Sequence, residues 1–201
     1  MAGVVLHRPV VRAWPDDHPV LPLPVAIEHA LHCLSADFAA VVLESGMNRG
    51  LITAADASEA SRSLSILDRQ AIFPVNAGSE SGTETIVRRS LERRGIATRS
   101  QVRIPGVGRV DLLIGEKLII ECDSLAYHAD PEKYRQDRER DLAAKRLGYT
   151  VVRLTYEQVI NAWDDTLRSV LMMIRRHDHR VPRAKRAHLI HGGLLRADPT
   201  A

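Results

Sequence analysis

With 201 residues, 45% of them hydrophobic, the chain is long enough for one ordinary domain with a packed core plus a smaller appended region. Aromatic residues make up only 4%, so the core must be mostly Leu, Val, Ile and Ala, and stacking of bases on exposed rings is not the expected way to hold nucleic acid. The formal charge is +3 but uneven: residues 175–188 hold six Lys and Arg against the single acid Asp178, a basic tail on a near-neutral body.

In chain order, the first 24 residues contain Pro9, Pro15, Pro19, Pro22 and Pro24, which predicts an extended arm rather than a helix. Helical periodicity follows over residues 25–34 and 37–47. A third helix, opened by a Thr53 cap, is predicted from Thr53 to about Leu67, so that residues 25–75 form a small helical region. Pro74, Asn76, Gly78 and Ser79 mark a loop and the start of a second domain over 79–176, followed by a basic tail over 177–201. Ser81-Gly-Thr-Glu84 has capping-box spacing and opens a helix expected to run to Arg94 and stop at Gly95.

Three short strands are predicted next, over 100–104, 109–114 and 118–123, punctuated by Pro105-Gly106 and by Gly115-Glu116-Lys117. Asp130-Pro131 starts a helix that ends before Gly148, and residues 150–154 form a fourth strand. From Thr155, with Gln158 completing another capping box, apolar residues at 159, 160, 163, 167, 170, 171 and 174 trace one helical stripe. The order helix, three strands, helix, strand, helix predicts an α/β domain with a mixed central sheet flanked by helices.

The chemistry concentrates in residues 109–123. Strand alternation puts Arg109, Asp111 and Leu113 on one face, and Ile119, Glu121 and Asp123 on one face. With a three-residue loop, residue 114 pairs with 118, which sets Asp111 opposite Glu121. Cross-strand Cβ atoms lie roughly 4.5–5.5 Å apart, close enough for two carboxylates to share one divalent cation. Without a cation or a basic partner that pairing is costly, because like charges repel and a buried lone carboxylate is poorly solvated. All-oxygen ligands suit Mg²⁺ or Mn²⁺ rather than zinc, and no paired His or Cys spacing supports zinc. Glu84 is either a third carboxylate for this site or simply the partner in its own capping box.

Ser81-x-x-Glu84, Arg109-Val-Asp111, Glu121-Cys-Asp123 with His128 close behind, Asp137-Arg138-x-Arg140-Asp141, and the run from Leu147 to Arg153 together resemble the short Vsr-like endonuclease domains. These are relatives of the very-short-patch-repair endonuclease within the restriction-endonuclease-like PD-(D/E)xK superfamily. The resemblance covers about residues 79–160. It implies a restriction-endonuclease-like fold and Mg²⁺-dependent (or Mn²⁺-dependent) hydrolysis of DNA phosphodiesters. It also implies Asp111 and Glu121 as metal ligands with Glu84 assisting, and His128 as base or transition-state partner; Asp123 is the other catalytic candidate, for handling protons. The superfamily's E-x-K motif has Lys where this chain has Asp123, which Vsr-like domains commonly tolerate, and Ser124 stands where those domains usually have Gly.

Arg109, Lys133, Arg138, Arg175 and Arg176 are the candidate nucleic-acid contacts. Plain surface is the alternative for Lys133, and a solvated face with local ion pairs is the alternative for Asp137, Arg138 and Asp141. The expected partner is nucleic acid, DNA before RNA, and a homodimer is compatible with the sequence. The other functional class is a nuclease-like protein without turnover that binds nucleic acid in a regulatory, defence or toxin-antitoxin role. Cys33 and Cys122 lack CxxC spacing and sit among apolar residues, which predicts buried thiols in a reducing compartment. With no leader-like segment and no apolar run of the roughly 20 residues that span a bilayer, the expected location is cytoplasmic, without membrane contact.

Overall fold

The computed structural model describes residues 20–123 and 131–181, the side chains of residues 131, 133 and 134 excepted. Most of the Pro-rich arm, His128, the Lys133 side chain and the tail beyond Val181 therefore lie outside the described residues. The chain divides into two compact units between Ile86 and Val87.

The first unit holds helices α1 (Leu23–Cys33), α2 (Ala36–Asn48), α3 (Ala54–Ala60) and α4 (Ile66–Ile72), together with the start of α5 (Gly82–Glu92). Helix α1 begins inside the predicted arm, with Pro22 as its N-cap residue and a proline in its first turn. Proline is tolerated there because the first amides of a helix have no intrahelical partner anyway. The single third helix expected over 53–67 is instead two. Thr53 does open α3 with a full capping box through Asp56, but Ser65 then accepts the amide of Asp68 and starts α4 afresh. In the serine-rich stretch between them, side-chain hydroxyls compete for backbone partners, as Ser61 Oγ does by donating to the Ser58 carbonyl at 2.7 Å.

The core of this unit is formed by Ile27, Leu31, Ala39, Ala40, Leu43 and Ile72 among others. Within it the buried Glu44 carboxylate accepts from the Asn76 amide at 2.8 Å and the Thr85 hydroxyl at 2.7 Å, satisfying a group that would be costly to bury alone. Cys33, at the end of α1, is exposed and Cys122 only half-buried, against the expectation of two buried thiols.

The second unit is built on a four-stranded mixed sheet of β1 (Thr98–Ile104), β2 (Gly108–Ile114), β3 (Leu118–Asp123) and β4 (Thr150–Thr155), in that spatial order. Strands β1, β2 and β3 are antiparallel in succession, whereas β4 runs parallel to β3 after the crossover helix α6 (Pro131–Arg146). Leu112, Ile114, Leu118 and Ile120 are buried on one side of the hairpin. Leu113 and Ile119 on the other side pack with Ala144, Leu147 and Val151. The apolar runs in β2 and β3 are therefore those of a sheet covered on both faces.

The closing helix also differs from expectation. Thr155 forms the predicted capping box with Gln158, but the helix it opens, α7 (Tyr156–Ile160), stops where the Asn161 side chain donates to Glu157 Oε2 at 2.7 Å. Helix α8 (Trp163–Arg175) then starts anew, with the Trp163 indole donating to Ser90 Oγ at 2.8 Å. The periodic stripe continues across the break because both pieces bury apolar residues, Val159 in one and Leu167 and Val170 in the other.

Beyond α8 the chain returns to the β2–β3 turn. The His179 carbonyl accepts from the Glu116 amide at 2.8 Å, and the Val181 amide donates to Glu116 Oε2 at 2.8 Å. Gly115 makes this approach feasible, since a Cβ there would lie 2.5 Å from the His179 carbonyl oxygen.

Candidate active site

Strands β2 and β3 pair Leu112 with Ile120, Leu113 with Ile119 and Ile114 with Leu118, the register expected for a Gly115-Glu116-Lys117 turn. That register sets Asp111 across from Glu121. Asp111 Oδ2 accepts the backbone amide of Cys122 at 2.8 Å, beside the Glu121 carboxyl. Burial, then the negative charge of Asp111 beside it, pushes the Glu121 carboxyl up to about 8, although Arg140 and Arg153 pull the other way. Two carboxyls forced together in a partly dry place keep one proton between them unless a cation takes its place.

Guanidinium groups border this pair. In the β3–β4 register Glu121 lies beside Arg153, and its Oε1 is 3.6 Å from Arg140 Nη2. Arg153 bridges two acids, Asp123 Oδ1 at 3.0 Å and Asp141 Oδ1 at 2.9 Å. Burial works against its charge, but those carboxylates outweigh burial and raise its pKa still further. Arg140 lies 3.6 Å from Asp137, and its Nε donates to the Val107 carbonyl at 3.1 Å, tying α6 to the β1–β2 turn. Asp137 and Asp141 are thus drawn inward by Arg140 and Arg153 rather than forming the purely solvated face that helical spacing allows. Carboxylates outnumber guanidiniums in this cluster, so it remains a place for added positive charge.

The other expected site residues fall as follows. Glu84 lies in the first turn of α5 and is 4% exposed; its backbone amide donates to Ser81 Oγ at 3.2 Å. Its carboxylate accepts from the amide of Glu80 at 3.1 Å, one residue earlier than the amide that a standard capping box would engage. Arg109 is exposed and follows Gly108 at the start of β2. Arg138 is exposed on α6, 3.7 Å from Asp141, and Arg175 and Arg176 are exposed at the end of α8. Among the described residues, no three His, Cys, Asp or Glu side chains form a complete metal cage.

Sequence reasoning did not single out Gln101, whose side-chain amide lies 3.5 Å from Asp111 Oδ1. It also gave Arg140 and Arg153 no role beyond their place in the resembling pattern. Strand and helix periodicity place Gln101, Arg140 and Arg153 on elements, but their convergence depends on how β1, β4 and α6 pack around the hairpin.

The donor set fits a hard divalent cation. Asp111 and Glu121 offer oxygen ligands on one face of the sheet, and the raised Glu121 carboxyl marks a place where negative charge is not fully offset. Among the described residues, no helix is long and apolar enough to cross a membrane. No curated protein and no solved structure matches the chain. Residues 84–174, which include α6, all four strands and the acidic pair, match the family model REase_MTES_1575, a restriction-endonuclease-like family, and this match supports a nuclease of the PD-(D/E)xK-like superfamily, whose members generally use divalent metals.

Proposed function

We propose that residues 79–176 form a metal-dependent endonuclease domain that hydrolyses DNA phosphodiester bonds with Mg²⁺ or Mn²⁺. The observation that carries this reading is the carboxyl pair: the β2–β3 register sets Asp111 across from Glu121, where its charge helps push the Glu121 carboxyl up, in a segment matched by a nuclease-like family. The choice of DNA rests on the Vsr-like resemblance of Arg109-Val-Asp111 and Glu121-Cys-Asp123.

Asp111 and Glu121 would hold the cation, with Glu84 as a candidate assisting carboxylate. When bound, the cation supplies Lewis-acid polarisation of the phosphate and charge neutralisation at the leaving oxygen. Asp123 or His128 takes the proton of the attacking water as its oxygen bonds to phosphorus, and the departing oxygen of the broken P–O bond takes a proton from solvent. Arg109, Lys133, Arg138, Arg175, Arg176 and the basic tail contact phosphates and set register without reading bases.

Nicking of a supercoiled plasmid in Mg²⁺ or Mn²⁺ tests this. Wild-type protein should cut, while Asp111→Ala and Glu121→Gln should each lower the rate at least about 100-fold, the scale on which losing electrostatic stabilisation of a transition state registers. Plasmid, single-stranded DNA and RNA all left intact, or Asp111→Ala cutting as fast as wild type, would refute the proposal.

One observation favours a second reading, a nucleic-acid-binding or regulatory protein without turnover. The residue in the place of the superfamily's lysine, Asp123, is occupied by Arg153 at 3.0 Å, so its carboxylate is less available as a base. Nucleic-acid binding in EDTA, together with no cleavage once Mg²⁺ or Mn²⁺ is supplied in excess, would select this alternative.

A further inference from the structure

Among the described non-glycine residues, only Gln101 and His177 have positive φ, at 53° and 62°. His177 lies in the turn after α8, where such a conformation is ordinary. Gln101 lies in the middle of β1, where it is not. Ser100 pairs with Leu112 and Val102 with Val110, the same register on both sides, so no residue has been inserted and Gln101 stands across from Asp111. Glutamine gains nothing from the left-handed region by itself, and any regular strand conformation would cost the sheet less.

That twist accompanies a particular contact. The Gln101 carboxamide reaches Asp111 Oδ1 at 3.5 Å, while Asp111 Oδ2 is taken by the Cys122 amide at 2.8 Å. One donor from β1 and one from β3 thus address the two oxygens of a carboxylate carried on β2.

We propose that Gln101 is a positioning residue for the cation site, its left-handed backbone serving to bring the side-chain amide to Asp111 and fix the plane of that carboxylate relative to Glu121. The inference rests on the reading of Asp111 and Glu121 as cation ligands. Groups that orient a metal ligand from outside typically matter 10–100-fold in metal affinity. A residue kept in an unfavourable conformation for such work should be one whose replacement improves stability while harming function.

Mn²⁺ affinity by calorimetry and melting temperature of the metal-free full-length chain, measured for Gln101→Gly, Gln101→Met and Asp111→Ala, test this. Gln101→Gly removes both the amide and the backbone cost; Gln101→Met removes the amide alone. Both should weaken Mn²⁺ binding about tenfold or more. Gln101→Gly should melt no lower than wild type and above Gln101→Met. Mn²⁺ binding within twofold of wild type in both Gln101 variants, with Asp111→Ala abolishing it, overturns the role of Gln101 alone. Affinity and melting temperature falling together in both Gln101 variants would make the residue merely structural and also overturn it. Wild-type affinity retained in Asp111→Ala, or no binding by the wild type, removes the cation-site reading and this inference with it.

Discussion

At the scale of single residues, Glu121 has the most to reveal. Its folded-state carboxyl is pushed up to about 8 by burial and by Asp111, against an ordinary value of 4.5. The sign follows from proton counting. Between pH 4.5 and pH 8 the folded chain keeps a proton at Glu121 that the unfolded chain has released, so stability falls as pH rises through this window and levels off above it. In metal-free protein the melting temperature should therefore drop from pH 5 to pH 8 in wild type and drop less in Glu121→Gln, as scanning calorimetry in EDTA would show. Saturating Mn²⁺ should flatten the wild-type dependence, because a ligand that binds only the folded state supplies the missing positive charge. A wild-type profile that rises over the same window would contradict the arrangement of the pair.

At the scale of elements, the site depends on what α6 and β4 bring to the hairpin. Arg153 on β4 joins Asp123 at the end of β3 to Asp141 on α6, at 3.0 and 2.9 Å. Its own side chain is 22% exposed, so this is a largely screened triad rather than a surface pair. Arg153→Met keeps much of the apolar stem but leaves two acids without their cation, and should destabilise the chain by about 1–3 kcal/mol in urea unfolding. A smaller loss, within a few tenths of a kcal/mol, would mean that solvent replaces the guanidinium without penalty. The same triad explains why helical spacing alone misled for Asp137 and Asp141: i,i+3 pairs with Arg140 and Arg138 do form, but the helix turns the acids toward the sheet.

At the scale of the whole molecule, the first residues of the basic tail are tied to the sheet. Residues 177–181 return to the β2–β3 turn, where His179 and Val181 bond to Glu116. Deleting residues 182–201 leaves the contacts of His179 and Val181 with Glu116 in place. If the tail binds phosphates, that deletion removes Arg183, Lys185, Arg186 and Arg196 and should reduce the slope of log K against log salt by up to about 3–4 for duplex DNA. An unchanged slope, measured by fluorescence anisotropy over a salt series, would assign phosphate binding to residues 1–181 instead.

The strands, the β2–β3 register and the position of α6 were legible in the sequence because alternation, turn length and helix caps act locally and leave marks within a few residues of each other. Asp111 opposite Glu121 followed from the three-residue loop alone. Two helix breaks were not legible, since the apolar stripes run through Ser61–Ser65 and Asn161 without interruption while local side-chain bonds stop the backbone. The left-handed Gln101 and the Arg153 bridge between Asp123 and Asp141 were decided only by tertiary structure. Each depends on groups from separate strands or a helix being brought within about 3.5 Å, a distance set by packing that no spacing along the chain encodes.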